Sequence, residues 1–149
     1  MFIESNLEAI LPVLDRLTED KNPLWGSMNA QGMVEHLTDT LKIASGETKQ
    51  KLLIPEEKIT SMQGFLETDK EMARNLEVPF APKERQLRNE SLEDAIDEFV
   101  EQWITFEDHF SDAKTTELHP FYGDLNFKQW NRLNSKHLTH HFKQFGLIE

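Results

Sequence analysis

The chain predicts an all-α protein, a four-helix bundle with a long crossover between its second and third helices. Three observations carry that prediction. Four stretches place apolar residues at helical spacing, and each opens on a Ser or Asn suited to cap a helix. Residues 47–90 separate the second stretch from the third and show no convincing strand alternation. The whole is 149 residues with 38% hydrophobic content, the size of one domain able to bury a single core.

The first helix is expected over residues 5–20. Ser5 with Glu8 has the spacing of a capping box, and Leu7, Ile10, Leu11, Leu14 and Leu17 follow in register. Pro12 lacks an N–H and is expected to kink that helix or restart it near Leu11. Trp25 and Gly26 read as a turn, and Asn29 then caps a second helix with Met33, Leu37, Leu41 and Ala44 on its core face, ending at Gly46. In 47–90, Pro55, Gly64, Pro79 and Pro82 act as breakers around one or two short helices. A third helix runs from Ser91 to about residue 112, with Leu92, Ile96, Phe99, Trp103, Phe106 and Phe110 on one face. Its acidic outer side (Glu93, Asp94, Asp97, Glu98, Glu101) reads as solvated surface, since no loop converges these carboxylates on calcium. The fourth helix follows a tight turn at 119–125. Asn126 and Gln129 form a capping box, and Gly146 closes the helix. Phe127, Trp130, Leu138 and Phe145 mark its apolar face. Trp25, Trp103 and Trp130 are read as core.

Composition removes several functions. A formal charge of −11 and a pI near 5.0 argue against nucleic acid and anionic membrane as partners, because both need a basic footprint. No apolar run approaches the ~20 residues of a bilayer span. The acidic start, MFIESNLEAI, lacks the basic region and cleavage site of a signal peptide, so a cytoplasmic location is expected. There is no cysteine, which removes disulfides, thiolate ligands and a cysteine nucleophile. Any thiol chemistry must use a small-molecule thiol.

The histidines carry the chemistry. His137 and His141 are four residues apart on the apolar face of the fourth helix, with Asn134 beside them. Two imidazoles one turn apart can grip one metal ion. On spacing alone they can equally be satisfied core histidines. His36 lies on the flank of the second helix, about 85° from the centre of its core face. Three protein ligands with an open fourth position match catalytic zinc sites. His140 points about 100° from the core face and is read as a rim residue. His109 is read as partly exposed. His119, before Pro120, either lines the mouth of a site or donates to a backbone carbonyl. No nucleophile turn supports a Ser-His-Asp triad.

The segments PLWGSMNAQGMVEHL (23–37) and HPFYGDLNFKQWNRLNSKHLTHHFKQFG (119–146) resemble the DinB/YfiT-like superfamily, and within it a branch described as a domain of unknown function. APKERQ (81–86) fits the same branch. The resemblance implies a four-helix bundle with a long crossover, often dimeric. It implies a divalent transition metal, zinc or nickel, held by His36, His137 and His141. Gly32 departs from the pattern, which prefers a larger polar residue, and glycine there is expected to loosen the first turn of helix two. Characterised relatives include thiol-dependent transferases and isomerases. The function implied is thus a metal-dependent transferase or hydrolase acting on a small-molecule substrate with an external thiol or water. His119, Asn134 and His140 are candidates to orient groups or shuttle a proton. The other reading is a non-catalytic metal-binding or interaction protein, as a homodimer or with another partner.

Overall fold

The computed structural model describes residues 1–74 and 85–149 of the chain. Pro79, Pro82 and most of the 81–86 segment fall outside the described residues. Five α-helices and a 3₁₀ turn make the described chain mostly helical, as expected, with one small sheet added.

Helix α1 (Leu7–Leu14) is capped by Asn6, whose side chain accepts from the Ala9 amide at 2.8 Å. The expected cap, Ser5, instead donates to Asn131 Oδ1 at 3.1 Å. The helix runs through Pro12 and stops at Leu14, well short of residue 20. Its end tightens into i→i−3 bonds from Arg16 to Val13 and from Leu17 to Leu14.

Helix α2 (Ala30–Ala44) starts at Asn29, whose Oδ1 accepts from the Gly32 amide at 2.7 Å. A Cβ on residue 32 would stand 2.8 Å from that oxygen and 3.5 Å from Arg85 Cδ. Gly32 therefore makes room for the cap and for Arg85, so the first turn is tied down rather than loosened. At the other end Gly46 takes the left-handed conformation, φ 76°.

The long crossover has structure of its own. A 3₁₀ turn (Glu56–Lys58) leads into α3 (Ile59–Leu66), which runs through Gly64 instead of breaking there. Beyond α3, Lys136 is buried and its ammonium donates to the carbonyls of Thr68 and Lys70, against the rings of Phe2 and Phe65. At the far end of the crossover, the fully buried carboxylate of Glu35 accepts from the amides of Arg88 (2.9 Å) and Asn89 (3.1 Å). It also accepts from Asn89 Nδ2 (3.2 Å) and Gln31 Nε2 (3.0 Å). Four donors on one carboxylate saturate it, and they pin residues 88–89 against α2.

Helix α4 (Leu92–His109) is capped by Ser91 and ends a little before the expected residue 112. Its Phe99, Trp103 and Phe106 fill the core against α2. Between α4 and the last helix the chain forms an antiparallel hairpin that was not anticipated, β1 (Glu117–His119) with β2 (Gly123–Leu125). His119 pairs across from Gly123, whose φ of 74° permits the tight return at the expected turn. The crossover holds the hairpin: Leu53 N donates to Pro120 O at 2.8 Å, and Gln63 Nε2 to Tyr122 O at 2.9 Å.

Helix α5 (Phe127–Gln144) opens with the anticipated Asn126–Gln129 capping box and packs on α2 and α3. Trp130, Leu138, Phe142 and Phe145 are buried. Phe127 is 36% exposed rather than core, although its ring stacks on Phe106 and lies tilted against Phe110. Trp103 and Trp130 are core as expected, whereas Trp25 is only half-buried. No described helix is long and apolar enough to cross a membrane.

Candidate metal centre

The centre lies where α2 meets α5. His36 is buried on α2 despite its flanking position, and His141 is buried one turn beyond the half-buried His137 on α5. Nε2 of His137 is 2.9 Å from Nε2 of His36 and 3.0 Å from Nε2 of His141. Ligand atoms from all three lie within 4.8 Å of one another, so the group can hold a metal ion. Three imidazole nitrogens about 2.05 Å from a tetrahedral ion stand about 3.3 Å apart, close to this spacing.

Three ring nitrogens facing one another would normally repel if bare, or share too few protons to satisfy all three. Burial holds the rings neutral. His36 is pushed down to about 4, first by burial and then by the nearby Arg85 guanidinium. His137 and His141 lie well below the ordinary histidine value, first through burial and then through the neighbouring imidazoles. A neutral imidazole offers one lone pair, which is the form a metal needs.

His141 also has an outer partner. Its Nδ1 lies 2.7 Å from Gln144 Oε1, and Gln144 Nε2 donates to the Trp25 carbonyl at 3.1 Å. Sequence reasoning missed Gln144. Its signal was available, a polar residue three positions after a candidate ligand on the same helix face.

The remaining candidates divide. Asn134 is buried and lines a cavity of about 10 Å³ together with His137 and Trp103. Its Nδ2 and the Trp103 indole N–H have no acceptor among the described residues. His119 accepts at Nδ1 from the Phe121 amide at 3.0 Å. Burial pushes His119 down to about 3, and its charge would be felt at His137. His140 is half-buried beside the centre. Its ring meets the edge of Trp25 at 5.6 Å and lies 4.9 Å from His141. Arg74 stacks on the other part of this wall, 3.8 Å from the Trp25 ring centre. His109 is away from the centre, paired with Glu117 at 2.7 Å.

The comparisons agree in part with the resemblance. A family model described as a protein of unknown function (DUF1569) matches residues 4–146, and the chain belongs to that family. No curated protein and no solved structure matches the chain.

Proposed function

We propose that this chain is a divalent-metal protein, with His36, His137 and His141 holding one zinc or nickel ion and a further coordination position left to a small-molecule substrate. The convergence of three neutral imidazole nitrogens between α2 and α5 carries the reading. The arrangement of α1, α2, α4 and α5, with α3 inside the long connection, supports a four-helix bundle of the DinB/YfiT-like kind.

When bound, a divalent ion supplies Lewis acidity, which makes an external low-molecular-weight thiol or a water nucleophilic at neutral pH. The chain's own residues do the rest. His137 is the most exposed of the three, which puts the open side of the centre toward it. His140 and His119 stand near enough to orient a substrate or take a proton, and Asn134 offers a buried donor beside His137. A metal-dependent transferase or hydrolase is the activity this arrangement suits best.

The second reading is an ion that only braces α2 against α5. The burial of His36 and His141 on the two packed helices favours it. Chelation separates the two, since a structural ion carries much of the folding free energy and a catalytic one carries little.

The test of the site itself is metal content. Protein purified without a histidine tag should carry about one equivalent of a transition metal, and His141→Ala little or none. Absence of metal in both, even after soaking with zinc and with nickel, would overturn the proposal. A thiol-transfer and hydrolysis screen follows a positive result.

A further inference from the structure

We propose that Gln144 is the positioning residue of this centre, fixing through the Trp25 carbonyl which nitrogen of His141 carries the proton. The consequence for metal binding rests on the three-histidine reading; the tautomer does not.

A backbone carbonyl can only accept, so the Gln144 atom 3.1 Å from Trp25 O must be the amide nitrogen. Turning the amide over would set oxygen against oxygen at that distance. The amide oxygen is therefore the atom that faces His141, at 2.7 Å from Nδ1. An amide oxygen also only accepts, so Nδ1 carries the hydrogen and donates it. In a neutral imidazole this leaves Nε2 bare, and Nε2 is the atom turned toward His137. A carbonyl on the 24–26 turn thus determines the lone pair at the centre.

The lever is held firmly. Gln144 is buried, and the Leu24 amide donates to its backbone carbonyl at 2.6 Å, so the turn and the end of α5 are joined twice. Trp25 is itself set between the His140 ring and the Arg74 guanidinium. Gln144 also occupies the last turn of α5, where a purely structural residue would serve only to cap the helix. Such a residue would affect stability and leave the tautomer alone.

Two substitutions separate these roles. Gln144→Met removes the acceptor. Gln144→Glu keeps an oxygen for Nδ1–H but turns its second oxygen on Trp25 O, so it should cost stability while preserving the tautomer. The first readout is nitrogen NMR of the imidazole rings in metal-free protein, and the second is zinc affinity. The parent and Gln144→Glu should show His141 protonated at Nδ1. Gln144→Met should populate the Nε2–H form and bind zinc ~10–100-fold more weakly, with Gln144→Glu at or above the parent's affinity. His141 protonated at Nε2 in the parent would overturn the proposal. So would an unchanged tautomer and zinc affinity in Gln144→Met. If the parent takes up no zinc at all, the three-histidine reading fails, and the NMR result still decides the role of Gln144.

Discussion

Glu35 and His36 are consecutive residues of α2, both buried, and their surroundings treat them in opposite ways. The Glu35 carboxylate receives four donors from Gln31, Arg88 and Asn89, and Arg85 stands 4.0 Å away. Nothing about it asks for a further partner. His36 instead points its Nε2 at another imidazole nitrogen, as does His141. Burial alone would rank the two residues together. What separates them is whether the protein completes their bonding: Glu35 is finished by the chain and holds it in shape, whereas the histidines are arranged around a position that a cation would complete.

The largest expected effect is on the finished side. Glu35→Ala takes this acceptor from two backbone amides and two side-chain amides, and should lower unfolding free energy by ~3–4 kcal/mol in denaturant titrations. Zinc stoichiometry should be unchanged. Loss of zinc with the fold intact would mean that the two clusters are one unit, and the comparison would break.

Next comes the unfinished side. His137→Leu with His141→Leu should change metal-free stability only modestly, because removing the facing polar groups is offset by the partners that Gln144 Oε1 and His36 Nε2 lose. At zinc 100 times the dissociation constant the parent should gain about 2.7 kcal/mol and the double variant nothing. A large loss of metal-free stability in the double variant would show that the imidazoles satisfy one another.

Acid separates the clusters by window. The buried histidines favour the neutral form in the fold, whereas the unfolded chain takes up protons near 6.5. Their contribution is complete above about 6.5 and is lost as pH falls toward the folded values, about 4 for His36 and about 3 for His119. For Glu35, burial raises its pKa, but the bonds from Gln31, Arg88 and Asn89 outweigh it and the net shift is down from 4.5. Its contribution is present above 4.5 and lost below it. Melting temperature of metal-free protein should therefore fall in two stages. The double histidine variant should shrink the first stage while leaving the share of His36 and His119, and Glu35→Gln should affect only the second. A single stage insensitive to the histidine changes would contradict the assignment.

The smallest effect is a control. Gly64 sits inside α3 with nothing within 4 Å of an added Cβ. Gly64→Ala should raise stability by ~0.5–1 kcal/mol in the same titrations without altering zinc affinity.

The contrast also explains what could be read in the sequence. Asn29, Ser91 and Asn126 announce α2, α4 and α5, because a cap acts on amides two or three residues away and needs no distant partner. The His137–His141 pair is legible for the same reason. His36 is harder, since its place depends on how α2 turns against α5, and there the family resemblance supplied the expectation. Glu35 was illegible: its donors at 88–89 lie more than fifty residues away, and nothing local distinguishes it from a surface glutamate. The hairpin escaped notice because strands of three residues are too short to show alternation. Gly64 was read as a breaker, but packing of α3 on α5 overrides a propensity cost of about 1 kcal/mol. Trp25 reads as core, and its bond from Gln144 and its edge contact with His140 show that it is part of the wall around the histidines.

X-ray absorption at the metal edge of zinc-loaded protein reads the ligands of the centre themselves. The account predicts three imidazole nitrogens at about 2.0–2.1 Å, with the outer-ring scattering of three histidines, falling to two in His36→Ala. A first shell made mainly of carboxylate or water oxygens, or one unchanged by His36→Ala, would contradict it.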